Sequence, residues 1–425
     1  MKRYLAAIMC IGVLCTTGCS QQEGTTAEAV QPIVSMEMSV QQEEQVKEQE
    51  PEEVEVQGSV SFADAGELDS GQQQLITDFL DRYYRSLAEF SMVDFEELFL
   101  DDALAQIELE RQIWNYQITV RSMQNTDLHL NGYSSRLWVD SMEEQEDQTV
   151  QLRLSEDSVQ NFVQYPDVEA KTDDLTHIFT LKQEDGSWKI VSHMTYDRLY
   201  WSLPEDFRQL MQSETEDAQI IANIQQNIEQ ITADLEENLT QREQDTVLTL
   251  PQATYSYDRE AAVAYARQWA ADRNEQWADY SMNGGNCQNF VSQCLYAGGI
   301  PMDIQGDYVW KWYGDTPDSS ARATGRSASW SGVNEFLEYV QNNTGSGMVA
   351  VADAPYDSGE VGDVLLLGFN EENFYHAVII TDVITDEDGQ VIDYLIHSNT
   401  INEEDYPVSA YGYTCQLLVK ICGWN

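Results

Sequence analysis

Apolar residues recur at helical spacing from Leu75 through Ile76, Phe79, Leu80, Tyr83 and Tyr84 to Leu87, and again from Val93 to Leu109. The spacing predicts two helices. The period then falls to two: Arg136–Val139, the alternating Val150, Leu152 and Leu154, and His177–Leu181 and Trp188–Met194 around an Asp185-Gly186 turn. Helices followed by antiparallel hairpins predict an α+β layer over residues 59–202. Residues 203–250 read as a Gln- and Glu-rich helical linker whose Ile221, Ile224, Ile228, Ile231 and Leu235 form a short heptad-like stripe. That stripe predicts packing on a neighbouring region, homodimerisation being the other reading. From residue 251 to 425 a second α+β region follows. It opens on a helix of small and aromatic residues, Ala261 to Trp269. A glycine-rich loop, a helix from Cys287 to Ala297 and strands at Val364–Phe369, Phe374–Ile380, Val391–Asn399 and Thr414–Trp424 come after it.

Residues 1–19 place Lys2 and Arg3 before a short apolar run and small residues before Cys19, the layout of a secretory signal. The run is too short for a bilayer core of about 30 Å. It resembles a bacterial lipoprotein signal, although Thr16 stands where Leu is usual. The resemblance implies lipidation of Cys19 and a mature chain anchored to the outer face of the cell membrane, plain secretion being the alternative. Residues 20–58, rich in Glu and Gln, cannot bury enough surface to offset ordering and predict an extended acidic tether. Across all 425 residues, 74 acidic side chains against 22 Lys and Arg give a formal charge of -52, which repels phosphate backbones and excludes nucleic acid as a partner.

The chemistry concentrates in the last third. In Asn283-Gly284-Gly285-Asn286-Cys287-Gln288-Asn289-Phe290-Val291-Ser292-Gln293-Cys294 the glycines and Asn286 predict a loop ending in an N-cap. Cys287 then falls in the first helical turn, where unpaired N–H groups favour a thiolate. Such a nucleophile needs an imidazole and a group to orient it. This region holds two histidines, His376 and His397, on consecutive predicted strands. Asn399, two residues beyond His397, shares its face and is the other candidate for the orienting role. His129, His177 and His193 lie in or beside strands of the first region without metal-ligand spacing and read as structural. Neither metal nor cofactor is expected, and Asp386–Gly389 lacks the acids of a calcium loop. Cys294 reads as packing. Cys415 and Cys422 cannot bridge each other in one strand, and a bridge from either to Cys294 is left open. Trp310, Trp312, Tyr313 and Trp330 suit either a substrate groove or the core.

Tyr257-Asp258-Arg259, the Gly284–Gly299 block, Ser329-Trp330, Gly362-Asp363-Val364 and Tyr375-His376-Ala377-Val378 together resemble the putative amidase domain family of secreted Gram-positive proteins, relatives of papain-like CHAP and NlpC-type peptidases. The resemblance implies a papain-like cysteine hydrolase with Cys287, His376 and His397 as its constellation, and Asn286 where Asp is common. The first region's order and its ending GSWKIVSHMTYD resemble a smaller cone-like nuclear transport factor 2-like or SnoaL-like domain. The expected activity is hydrolysis of an amide, in a peptide or in peptidoglycan stem peptides, by an extracytoplasmic enzyme. A catalytically silent cell-wall-binding or scaffold lipoprotein is the competing expectation. A serine hydrolase is disfavoured because no G-x-S-x-G elbow is present.

Overall fold

The computed structural model describes residues 56–195, 217–242, 248–370 and 372–425. The signal, Cys19, most of the tether, residues 196–202 of the first region and residues 203–216 and 243–247 of the linker lie outside them. Helix α1 (Ser70–Glu89) begins where the Asp69 carboxylate accepts from the Gly71 and Gln72 N–H groups and Gln72 returns a bond to the Asp69 N–H. Its predicted stripe of Leu75, Ile76, Phe79 and Leu80 is buried. The second helix departs from the expected position: α2 runs Leu104–Ser122, and Phe95, Leu98 and Phe99 are buried from an irregular segment with one 3-10 turn. Apolar spacing alone does not distinguish such a segment from a helix.

Strands β1 (Gln57–Asp64), β2 (Leu130–Glu144), β3 (Thr149–Phe162), β4 (Ala170–Glu184) and β5 (Ser187–Thr195) follow the hairpin pattern, with β1 parallel to β2 and the rest antiparallel. Helix α3 (Asp217–Arg242) lays Ile224, Ile228 and Leu235 of the expected stripe into the same core as α2, with Ile231 partly buried against it and Ile220 buried in place of Ile221. The C-terminal region adds helices α4 (Arg259–Trp269), α5 (Cys287–Ala297), α6 (Ala328–Ser331) and α7 (Val333–Asn342). Its strands are the short pair β6 (Trp312–Tyr313) and β7 (Gly325–Arg326), then β8 (Met348–Ala354), β9 (Val364–Asn370), β10 (Asn373–Thr385), β11 (Val391–Ser398), β12 (Asn402–Pro407) and β13 (Cys415–Trp424).

These strands continue the sheet of the first region. The order is β1-β2-β3-β4-β12-β11-β10-β9-β13-β8, with β5 also on β4, eleven strands among the described residues. The junction is antiparallel pairing of Asn402, Glu403 and Glu404 with Asp173, Thr172 and Lys171. Side chains alternate along β10: Ala377 and Ile379 pack toward α4 and α5, whereas Val378 and Ile380 join a core shared with the first region. All described residues belong to one compact unit, Val54–Asn425. The molecule is thus α+β with a large, mostly antiparallel sheet.

Candidate active site

Helix α5 is buried almost all round: every residue from Cys287 to Leu295 is inaccessible. Its polar residues therefore require partners within the protein. Asn289 accepts from Trp330 Nε1 at 2.9 Å and donates to the Ala278 carbonyl, and Ser292 donates to the Trp330 carbonyl at 2.8 Å while accepting from Trp310 Nε1. Gln293 accepts from the Tyr265 hydroxyl. In the Cys-Gln-Asn-Phe-Val-Ser-Gln block Asn289, Ser292 and Gln293 thus find partners within the protein, while Gln288 donates to Ser292 and leaves its Oε1 unmet. Trp310 and Trp330 belong to the core, while Tyr313 is exposed. Tyr257-Asp258-Arg259 is structural as well. Asp258 caps α4, Tyr257 donates to the Gly362 carbonyl, and Arg259 pairs at 2.7 Å with the fully buried Asp363, which Lys420 also approaches.

Cys287 is the first residue of α5, as expected, but Asn286 does not cap the helix through its side chain. Its Oδ1 instead accepts from the Tyr280 N–H and from Asn289 Nδ2, and its Nδ2 donates to Asn399 Oδ1 at 2.6 Å. The Asn286 N–H donates to Thr400 Oγ1 at 2.6 Å. Asn399 donates in turn to the Trp269 and Ala270 carbonyls at the end of α4. His376 Nε2 lies 2.8 Å from Ser398 Oγ. This contact orients the ring through Nε2 and leaves Nδ1 as the nitrogen Ser398 does not engage. Ser398, Asn399 and Thr400 therefore hold both the imidazole and the residue before the thiol.

The β10–β11 ladder ends at Ile379 and His397, so the edge of β10 beside His376 is unpaired with β11, and there the N-terminus of α5 is tied. Cys287 lies in a buried cluster with Ala377, and the His376 ring lies near Tyr411 and Tyr413. Thr400 holds φ at 103°, a conformation costly for a β-branched residue.

The expected third member is elsewhere. His397 pairs with Ile379 on the face away from the His376 ring; its Nδ1 meets Thr381 Oγ1 at 3.1 Å and accepts from the Asp405 N–H. Burial, opposed by Asp405, pushes this imidazole down to about 4. Asn399 serves α4 and Asn286 rather than His376. The residue between the two, Ser398, makes the contact, because neighbours in a strand face opposite ways. Cys287, Cys294, Cys415 and Cys422 remain thiols, and burial pushes Cys294 well up.

An open groove of about 1000 Å³ runs past this corner, lined by Gly284 and Gly285 of the loop before Cys287, by Thr400–Asn402, and by Arg153 and Thr176 of the first region. Residues 256–421 match the putative amidase domain family. The match points to a hydrolase acting on amides. A 127-residue stretch is 31% identical to the uncharacterized protein YhbB of Bacillus subtilis strain 168, over 30% of this chain and 37% of the relative. The chain thus spans little more than a third of that relative's length. No solved structure matches.

Sequence reasoning missed the histidines of the first region as a set. His177 and His193 stand diagonally across β4 and β5 and join a buried chain. Glu156 Oε2 meets His177 Nε2 at 2.8 Å, His177 Nδ1 meets His193 Nε2 at 3.0 Å, and His193 Nδ1 meets Glu110 Oε1 at 2.9 Å. Burial opposes the charge on Glu156, but His177, Ser135 and Tyr84 hold its carboxyl below the usual range. The hydrogen-bond pattern of side chains facing across two adjacent strands was the available signal. Among the described residues no group of His, Cys, Asp or Glu is placed to hold a metal ion.

Proposed function

We propose that residues 251–425 form a cysteine amidase with Cys287 as nucleophile and His376 as acid–base. The carrying observation is the grip of three consecutive residues, Ser398–Thr400, on both the His376 ring and the α5 N-terminus beside an open groove. The thiolate attacks the amide carbon, its own backbone N–H helps to bind the oxyanion, and the C–N bond breaks as imidazolium Nδ1–H protonates the leaving amine. Water, deprotonated by the same nitrogen, then cleaves the thioester and restores the thiol. The reading requires thiol and imidazole to meet at the edge of β10 that β11 leaves unpaired. Ser398 orients the ring in the role expected of His397.

The substrate we favour is a peptidoglycan stem peptide, reached from the outer face of the membrane through a lipid on Cys19. Mass spectrometry of cell-wall digests tests the reading: new amine and carboxylate ends with the native chain, and none with Cys287→Ala or His376→Ala, support it. Full activity of Cys287→Ala sinks it. One observation favours the competing reading, a silent scaffold: Cys287 and His376 are only 4% and 2% exposed. An activity-based thiol probe discriminates, since labelling of Cys287 no faster than that of cysteine in solution supports the scaffold.

A further inference from the structure

Behind His376 the two regions enclose a cavity of about 100 Å³. One wall is a face of α2 presenting Glu110, Trp114, Gln117 and Arg121 at helical spacing; the opposite wall is the sheet, with Glu156, Ser158 and Gln160 of β3. The cavity shares Phe369, Ile401 and Tyr413 with the open groove, which gives it a route to solvent. Its two ends differ. At one, Glu110 and Glu156 are engaged by His193 and His177. At the other stands Arg121, 2% exposed, whose Nη2 donates to Gln160 Oε1 at 3.1 Å and more weakly to the Tyr406 hydroxyl. Its Nε and Nη1 have no hydrogen-bond partner, and among the described residues Arg121 forms no ion pair. Glu403, buried on the same wall, also lines the cavity.

A buried guanidinium with two unmet donors and no counter-ion is costly, because desolvation of the charge is repaid only by a paired, hydrogen-bonded anion. Nε and Nη1 lie on the two different edges of the planar fork, each edge completed by Nη2, so one carboxylate oxygen takes an unmet donor while the other replaces the weaker Tyr406 contact at Nη2. The neutral groups around it, Gln117, Ser158, Gln160 and Thr172, suit the polar remainder of a small ligand. We infer that this cavity is a carboxylate-binding site with Arg121 as its anchor, sized for a small acid or the C-terminal residue of a peptide entering from the groove. The site stands independently of the catalytic reading.

The test is calorimetric titration and thermal shift of the full chain carrying Cys287→Ala, so that turnover plays no part. The probes are acetate, acetamide, glycylglycine and glycylglycine amide. Saturable binding of acetate or of the dipeptide acid, without binding of the corresponding amide, is the expected result. Acetate alone identifies a free acid as the ligand type, and the dipeptide alone a peptide C-terminus. Arg121→Met should weaken the acid about 10- to 100-fold, the loss of a charge-assisted pair. If Arg121→Met does not fold, Arg121→Lys decides, since it keeps the charge and loses the fork; weakened binding supports the site. No binding of either acid, equal binding of acid and amide, or unaltered affinity in the folded Arg121 variant overturns it.

Discussion

Ser398 and His397 differ by one position, and that one position separates a side chain that touches His376 from one that does not. Ser398→Ala should lower kcat about 3- to 10-fold with little change in KM, the scale of one hydrogen bond holding a tautomer. A drop as complete as that of His376→Ala would contradict a merely orienting role. For His397 the expectation is about stability. Its folded value near 4 lies below the unfolded value, so the stabilisation is fully present above about pH 6.5 and is lost as pH falls toward 4. Between pH 7 and 5 the loss is about 2 kcal/mol. Urea titrations at those two pH values should show His397→Asn losing less than the native chain. The place of Cys287 at the first position of α5 was legible because its glycine loop is a local signal. Ser398 was not, because strand parity leaves two faces to choose from and the register that settles the choice comes from β10, outside the strand itself.

At the scale of elements, the bounds of α5 were legible because its glycine loop, apolar stripe and Gly298-Gly299 stop are all local signals, whereas the expected Asn286 side-chain cap is absent. The boundaries of α2 were not: Phe95, Leu98 and Phe99 are apolar for reasons of burial rather than helix. The lengths of β2, β3 and β4 were also under-read, since polar residues toward strand ends carry no alternation. Gly298 shows how tightly α5 is seated. A Cβ there would lie 2.2 Å from the Tyr257 ring and 2.8 Å from the Asp258 carbonyl. Gly298→Ala should therefore destabilise the fold by roughly 1–3 kcal/mol, the ordinary cost of overpacking, and a melt that leaves Tm unchanged would refute the contact. Asp363→Ala should cost more, about 3–5 kcal/mol by denaturant titration, because Arg259 and Lys420 would then lose their shared buried carboxylate.

For the whole molecule, composition and the two α+β patterns were readable from the chain, whereas the continuity of one sheet through both regions was not. It depends on three residues of β12, Asn402, Glu403 and Glu404, whose polar character gives no hint of pairing. A shared sheet and a shared apolar core predict joint unfolding: tryptophan fluorescence and far-UV circular dichroism should report one coincident transition. Thr172→Pro, which places a proline in the joining strand, should split or lower it. The brevity of the connection has a mechanical consequence. Between β12, which is stitched to the first region, and the serine that carries His376 there are only three residues, Asn399, Thr400 and Ile401, and two of these also grip the α5 N-terminus. So short a strut has little slack, and one of its joints, Thr400, is already wound into a strained conformation. A displacement of β4 by anything bound to the first region would arrive at the thiol and the imidazole almost undamped, so that the two regions share one spring as well as one sheet.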